Sequence, residues 1–245
     1  MTACHSWFEL SMTRFTVVIP AGGTGSRFGA SLPKQFTRLG GIPVLHRTIA
    51  LFTQSPRIHR VVVALPTPVA ELPIDWPFAP PQVIPLTCAG ATRARTVLNA
   101  LDALSLELAH DAWILVHDAA RPCLTQPGLD RLLDTLMQDP TGGLMAIPVT
   151  DTVKRQTEDL RVAETVPRAG LWAAQTPQMF RLGPLRAALT AYPDATDESS
   201  AMESMGHIPK LVLGENSNLK ITYPTDLVLA ETWLETLNHA HRPRI

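Results

Sequence analysis

A glycine-rich loop directly behind an apolar segment is the feature that most constrains this chain. Residues 15–19 are apolar, rich in β-branched side chains and followed by Pro20, which predicts a buried strand. Four glycines follow between positions 22 and 29, and glycine lets backbone N–H groups come close to a ligand. Successive N–H groups in such a turn attract anions, and Arg27 and Lys34 add positive charge. We therefore predict a polyphosphate site directly after the first strand.

Two better-known glycine loops do not fit these residues. The P-loop ends in Gly-Lys followed by Ser or Thr, whereas Lys34 stands between Pro33 and Gln35. The dinucleotide fingerprint needs a third glycine where this chain has Phe28, and its acidic residue is missing because none occurs between Glu9 and Glu71. A dehydrogenase is therefore disfavoured. An ordinary strand-to-helix turn with two incidental cations stays open.

Motifs in and after the loop resemble the signature of the cytidylyltransferases that attach CMP to polyol phosphates. These motifs are A-G-G-x-G-x-R at 21–27 and P-K-Q-F at 33–36. Within that family they are most similar to the 2-C-methyl-D-erythritol 4-phosphate cytidylyltransferases. Four more motifs extend the resemblance over about residues 15–231: G-x-x-R-x-x-T-V at 90–97, V-H-D-A-A-R-P at 116–122, L-W-x-x-Q-T-P-Q-x-F at 171–180 and N-x-K-I-T at 218–222.

The resemblance implies a reaction of the non-mevalonate isoprenoid pathway. The phosphate of 2-C-methyl-D-erythritol 4-phosphate attacks the α-phosphorus of CTP and displaces pyrophosphate. Because this nucleophile is already an anion, no general base is needed, and positioning and charge stabilisation carry catalysis. Two alternatives stay open: ribitol 5-phosphate as the acceptor, and a non-catalytic nucleotide-binding module.

The resemblance also implies roles for individual residues. We expect Arg27 and Lys34 to stabilise the transition state, and Lys220 and Arg168, the latter from a second subunit, to position the acceptor phosphate. The expected CTP-binding residues are Pro20, Ala21, Gly22, Gly23, Gly25, Gly90, Arg93, Thr96, Asp118 and Ala119. The expected acceptor-binding residues are Asp118, Arg121, Thr152 and Thr176. Mg²⁺ is expected mainly on the CTP phosphates, with Asp118 as its candidate protein ligand.

Strand and helix patterns alternate along most of the chain, which predicts a three-layer, Rossmann-like α/β fold with a largely parallel sheet. We expect one nucleotidyltransferase domain at 14–237, an N-terminal extension at 1–13 and a C-terminal tail at 238–245. Two β-capable runs around a polar turn predict a projecting hairpin arm at about 151–168. A lone hairpin is only marginally stable, and the resemblance implies a homodimer in which the arm clasps the second subunit. A free, solvated hairpin stays open.

Composition excludes several other classes of protein. The net charge of −1 offers no bulk attraction to nucleic acid or to an anionic membrane. No apolar run approaches the roughly 18 residues of a membrane span, and His5 and Glu9 interrupt the N-terminus as a signal peptide. Three cysteines without a C-x-x-C pair favour a reducing compartment over a disulfide or zinc framework. We therefore expect a cytoplasmic protein.

Some motif residues are expected to pack rather than to react. His117 has no evident nucleophile beside it, so we expect a packed histidine, and we expect Trp172 in the core. Pro177 favours an extended residue before it, which predicts an exposed Thr176 hydroxyl. Thr196 is the candidate N-cap of a late helix, and we expect the acidic pair 197–198 to be a structural brace. For residues 90–97, an ordinary helix start stays open. For Asp118, a purely structural ion pair with Arg121 stays open.

Overall fold

The structure is a computed structural model that describes residues 14–23, 28, 32–78 and 81–240. Gly25 and Arg27 lie outside the described residues, as do the predicted extension at 1–13 and residues 241–245. The strands are β1 (Phe15–Pro20), β2 (Arg38–Leu39), β3 (Ile42–Pro43), β4 (Ile58–Leu65), β5 (Val83–Thr87), β6 (Trp113–Val116), β7 (Gly142–Pro148), β8 (Val153–Gln156), β9 (Val162–Val166), β10 (Trp172–Arg181) and β11 (Lys210–Leu213). The α-helices are α1 (Val44–Thr53), α2 (Arg93–Leu104), α3 (Gln126–Leu136), α4 (Leu182–Ala191), α5 (Glu198–Ser204) and α6 (Thr225–Ala240), and short 3-10 helices form at Lys34–Phe36 and Val69–Glu71.

Seven strands form the central sheet in the order β11-β7-β10-β6-β1-β4-β5. Only β10 runs antiparallel to its neighbours in this sheet, which confirms a largely parallel arrangement. The central strand β1 pairs on both sides, and Val17 stands opposite Val61 of β4 and Leu115 of β6. The chain runs outward from β1 to β4 and β5 and then returns to the other side of β1 as β6. Open α/β sheets bind ligands at the carboxyl ends of the strands where such a reversal occurs.

Side chains alternate between the two faces of the sheet and build two cores. Val17 and Ile19 of β1 pack on one face with α1 and α3, while Val18 packs on the other face with α2 and α4. Strand side chains point alternately to opposite faces, so an apolar strand such as β1 needs helices on both sides. The predicted three-layer fold is therefore confirmed. None of the described helices combines the length and apolar composition needed to cross a bilayer.

Side-chain caps set where the site-bearing helices begin. Helix α2 begins at Arg93, because the Thr92 side chain accepts a hydrogen bond from the Arg95 N–H at 3.1 Å. Asp197, and not Thr196, caps α5, so that prediction was wrong. The Asp197 carboxylate accepts from the Ser200 N–H at 2.9 Å in a capping box.

The predicted hairpin arm is confirmed as a two-stranded sheet of its own. Strands β8 and β9 pair antiparallel, with Val153 opposite Val166, and the side chains of both strands are exposed or half-buried. The prediction for Trp172 was wrong, because this residue at the base of the arm is 38% exposed. It begins β10 in a stretch where the first three residues are all exposed.

Candidate functional site

A cavity of about 570 Å³ opens at the carboxyl ends of β1 and β6, where the strand order reverses. Its wall contains most of the residues predicted from the sequence, namely Pro20, Ala21, Gly22, Gly23, Lys34, Gly90, Arg93, Thr96, Asp118, Ala119 and Lys220. Arg121, Thr152, Arg168 and Thr176 do not line it. Its volume falls in the range of pockets that enclose small-molecule ligands.

The glycine loop is held from two sides. The Ala21 N–H donates to the Ala64 carbonyl at the end of β4, at 2.9 Å. Gly22 packs so closely on the turn after β5 that a Cβ at this position would lie 2.4 Å from the Ala89 Cβ, so only glycine fits. From the other side, the Gln35 amide donates to the Ala21 and Gly23 carbonyls, both at 2.8 Å. Gln35 follows Lys34 in the P-K-Q-F motif, but the sequence does not show that its side chain holds the loop.

The turn that enters α2 is tied together by Thr96. Its hydroxyl donates to the Thr92 carbonyl at 2.9 Å and accepts from the Gly90 N–H at 3.0 Å. A threonine hydroxyl has one donor and two acceptor positions, so one acceptor position is not used by the described residues. The first N–H groups of α2 are at the helix end that favours anions.

Three cations converge on the buried carboxylate of Asp118. Its Oδ1 accepts from Arg93 Nε at 2.8 Å, and its Oδ2 lies 2.9 Å from Lys220 Nζ and 3.4 Å from Arg121 Nε. Burial by itself raises the pKa of Asp118, but the charges of Arg93, Lys220 and Arg121 lower that pKa well below its ordinary value. Asp118 is therefore ionised at neutral pH. The Asp118–Arg121 ion pair is present, but it is the longest of the three contacts.

Glu198 fastens Arg93 from outside the cavity. Its carboxylate is fully buried at the start of α5 and binds the guanidinium through both oxygens, at 2.6 and 3.1 Å. This contact confirms that the acidic residue acts as a structural brace. The resulting cluster has three cations and two carboxylates and so carries one net positive charge, and Lys34 is a further cation of the cavity wall.

Behind Asp118, a fully buried histidine connects the turn after β6 to β10, as predicted for a packed residue. His117 Nε2 lies 3.0 Å from the Arg121 carbonyl, and its Nδ1 lies 3.1 Å from the Thr176 hydroxyl. A carbonyl can only accept, so in the neutral ring Nε2 carries the proton. Burial lowers the pKa of His117 to about 4, which keeps the ring neutral near pH 7.

The expectation that the Thr176 hydroxyl is exposed was wrong. Thr176 is 4% exposed, and its hydroxyl accepts from the Asp118 N–H at 3.0 Å while it contacts the His117 ring. These bonds use the hydroxyl to hold the backbone of Asp118. Arg121 is likewise turned into the protein, where it donates to the Asn218 carbonyl at 2.6 Å.

The two predicted residues of the arm lie apart from this cavity in the single chain. Thr152 and Arg168 are both exposed, and neither is in the cavity wall. They flank the hairpin that β8 and β9 form, so one chain does not bring them together with Lys34 and Lys220.

The residues of the cavity wall suit Mg²⁺ only when phosphates of a ligand help to bind it. Among the described residues, no group of three or more His, Cys, Asp and Glu side chains could hold a metal. Asp118 is the sole carboxylate of the described cavity wall, and its oxygens already contact three cations. Mg²⁺ is commonly held by one or two carboxylates together with substrate phosphates. The residues therefore fit an ion that phosphates bring with them, and they do not form a cage of protein ligands.

Comparison with known proteins matches the chain to one family over nearly its whole length. Residues 15–236 match the model of the IspD family, 2-C-methyl-D-erythritol 4-phosphate cytidylyltransferase. Two proteins of this name are similar: that of Laribacter hongkongensis is 51% identical over 226 residues, covering 91% of this chain and 97% of the relative. That of Dechloromonas aromatica is 50% identical over 220 residues, covering 89% and 96%.

Solved structures agree with this match. The Francisella tularensis 2-C-methyl-D-erythritol 4-phosphate cytidylyltransferase is 32% identical and superposes with a TM-score of 0.78 over 90% of this chain and 99% of its own. A crystal structure named 4-diphosphocytidyl-2C-methyl-D-erythritol synthase is 36% identical, with a TM-score of 0.76 over 91% and 98%.

Proposed function

The chain belongs to the 2-C-methyl-D-erythritol 4-phosphate cytidylyltransferase family, and we propose from this premise that it transfers CMP from CTP to 2-C-methyl-D-erythritol 4-phosphate. The products are 4-diphosphocytidyl-2-C-methyl-D-erythritol and pyrophosphate. The observation that carries the proposal is the cavity itself, in which the glycine loop, Lys34, Asp118 and Lys220 face one space.

CTP takes the part of the cavity between the glycine loop and α2. The phosphates lie against the backbone of Gly22 and Gly23 with Lys34 beside them, and the base lies towards the turn 90–96. The free acceptor position of the Thr96 hydroxyl suits an exocyclic amine, which cytosine has and uracil lacks. Charge at Lys34 stabilises the five-coordinate phosphorus and the departing pyrophosphate, since such contacts act where charge develops in the transition state. Arg27 is assigned the same role from its place in the A-G-G-x-G-x-R motif.

Lys220 is positioned for the acceptor phosphate. Its ammonium is 2.9 Å from Asp118 Oδ2 and its side chain is 39% exposed at the cavity, so it is held on one side and open on the other. Asp118 thus keeps a cation aimed at the space where the attacking phosphate stands. Positioning of two reactants in this way converts a bimolecular step into an effectively unimolecular one.

Mg²⁺ is proposed as the cofactor. When bound, it supplies positive charge that neutralises the triphosphate and polarises the phosphorus under attack. Asp118 is the residue that would hold it, together with the phosphates.

A homodimer is proposed as the working assembly. The arm is isolated from the central sheet, and its base adjoins a groove lined by Trp172, Ile208 and Leu211, which are 38%, 87% and 46% exposed. Apolar surface of this kind marks contact with another protein, and a second copy would cover it. In that assembly Arg168 and Thr152 of one chain reach the acceptor of the other. Light scattering at twice the chain mass of 26.7 kDa supports this; a monomer at working concentration contradicts it.

The cytoplasm is proposed as the compartment. Cys88 and Cys123, the two cysteines within the described residues, are both free thiols, which suits a reducing environment.

A pyrophosphate-release assay tests the proposed reaction. CTP, UTP, ATP and GTP are each combined with 2-C-methyl-D-erythritol 4-phosphate or ribitol 5-phosphate in the presence of Mg²⁺. We expect release with CTP and the methylerythritol phosphate. Preference for ribitol 5-phosphate, or binding of CTP without release for either acceptor, would contradict the proposal.

A further inference from the structure

A buried amide connects the glycine loop to the segment that carries Lys34. Gln35 is 4% exposed, and its Nε2 donates to the carbonyl oxygens of Ala21 and Gly23, both at 2.8 Å. A glutamine amide has two N–H donors, so both are used on the loop. One side chain therefore holds two peptide groups of the loop at once.

The bond to Ala21 sets the direction of the next N–H group. The peptide between Ala21 and Gly22 is trans, and in a planar trans peptide the C=O and N–H point in opposite directions. Because the Ala21 carbonyl is turned towards Gln35, the Gly22 N–H is turned away from it. Gly22 lines the cavity, and its N–H has no hydrogen-bond partner within the described part of the chain. Gln35 thus leaves a donor available at the cavity wall.

The segment that carries Gln35 is anchored to the core of the protein. Gln35 lies in the 3-10 helix Lys34–Phe36, where the Phe36 N–H donates to the Pro33 carbonyl at 2.8 Å. The Phe36 ring is 3% exposed and belongs to the core that α1 also lines. Lys34, one residue earlier, is in the same cavity wall as Gly22. The backbone of Lys34 and the glycine loop are therefore held at a set separation through Gln35.

We propose that Gln35 is a positioning residue, which holds the Gly22 peptide and Lys34 so that both meet the same triphosphate. The proposal rests on the cytidylyl transfer proposed above and adds a residue to its machinery. Gln35 acts through its neighbours and does not itself take part in bond making. Loss of its amide leaves the buried Ala21 carbonyl and the partly buried Gly23 carbonyl without this donor and lets the loop shift relative to Lys34.

The test compares two glutamine-to-methionine variants. Gln35→Met keeps the length of the side chain and removes both donors. Gln126→Met is the control, since Gln126 also donates to a partly buried carbonyl, that of Leu51 at 2.6 Å, but is not in the cavity wall. Steady-state kcat and KM for CTP and for the acceptor are measured for each, together with CTP affinity at equilibrium and the urea midpoint. If Gln35→Met does not fold, Gln35→Asn, whose amide is too short to reach both carbonyls, takes its place.

We expect Gln35→Met to lower kcat/KM for CTP by about 10²-fold, the scale of a 1 Å misplacement, with the KM of the acceptor unchanged. Gln126→Met should keep wild-type turnover while it lowers stability less, because it removes one partly buried hydrogen bond and not two. Because Gln35 acts in part through Lys34, the Gln35→Met change should slow the Lys34→Ala variant by a smaller factor than it slows the wild type. Wild-type kcat/KM in Gln35→Met, or losses that multiply in the double variant, would overturn the proposal.

If the proposed cytidylyl transfer does not occur, the role of Gln35 is tested by CTP affinity alone. If the wild-type protein releases no pyrophosphate with either acceptor, the reaction is wrong and CTP affinity decides the role of Gln35. CTP binding about tenfold weaker in Gln35→Met, a change of ~1.4 kcal/mol, would support positioning. Unchanged affinity would overturn it.

Discussion

Replacing Asp118 by asparagine removes the carboxylate on which three cations converge. The side chain is 8% exposed and contacts Arg93, Lys220 and Arg121 at 2.8, 2.9 and 3.4 Å. In Asp118→Asn, Arg93 keeps Glu198 and Lys220 can turn to solvent. Arg121, with a side chain 10% exposed, keeps the Asn218 carbonyl but loses its counter-charge.

The expected loss of stability depends on which of the three cations keeps another partner or reaches water. Removal of one member of a buried ion pair costs about 3–5 kcal/mol. Since two of the three cations retain a partner or reach water, we expect the lower end, about 3 kcal/mol. For a chain of this size that lowers the melting temperature by roughly 6–12 °C. Cytidylyl transfer should also fall, because Lys220 is no longer held at the cavity.

Urea unfolding measures this loss of stability, and an exposed ion pair provides the control. Asp102 contacts Arg186 at 2.6 Å, but both side chains are 48% exposed, so Asp102→Asn should cost at most about 0.5 kcal/mol. An Asp118→Asn protein no less stable than Asp102→Asn would refute the view that the cluster is a buried, charge-balanced network.

Three further predictions concern the charge at the cavity, the partner arm and the buried histidine. Lys34→Ala should lower kcat about 10²–10³-fold with a smaller change in CTP affinity, as for loss of one transition-state contact; wild-type turnover would remove Lys34 from the mechanism. Arg168→Ala should be nearly inactive alone, yet mixing it with Lys34→Ala should restore about a quarter of wild-type activity. In the proposed two-fold dimer, one site of each mixed pair then has both residues intact. No recovery after confirmed subunit exchange would contradict a role in the partner's site. The pKa of His117 in the folded protein is about 4, below its ordinary value of about 6.5. As the pH falls, the unfolded chain therefore binds the proton first. The protein should lose on the order of 2–3 kcal/mol of stability between pH 6.5 and pH 4. Urea midpoints at pH 7.5 and 5 should show this loss for the wild type and a smaller one for His117→Gln.

The parts of the site that were predictable are those that local sequence determines. The β-branched run before Pro20 and the glycines behind it predict a strand and an anion-binding turn, and the structure has β1 ending at Pro20 with Gly22 and Gly23 in the cavity wall. The hairpin arm was likewise visible as two β-capable runs around a polar turn, and it forms at Val153–Gln156 and Val162–Val166.

The parts that were missed depend on contacts between distant segments. Glu198 lies 105 residues from Arg93, and no pattern along the chain shows that the two side chains meet. The Thr176 hydroxyl was misjudged because its direction depends on the Asp118 N–H and the His117 ring of the neighbouring strand. Gln35 was passed over because its partners, Ala21 and Gly23, are backbone carbonyls with no distinguishing side chain.

Trp172 shows a different limit. A large aromatic side chain is usually counted as core, but here it stands at the base of the arm with 38% of its surface exposed. Sequence alone does not separate an aromatic residue that packs within its own chain from one that stays exposed on it.

The most direct test of the account is a crystal structure with CTP and Mg²⁺ bound. The account predicts triphosphate oxygens within about 2.7–3.2 Å of the Gly22 N–H and of Lys34 Nζ, the range of hydrogen bonds, with cytosine towards Thr96. A triphosphate seated elsewhere, with Lys34 pointing away from it, would contradict the claim that this cavity transfers CMP.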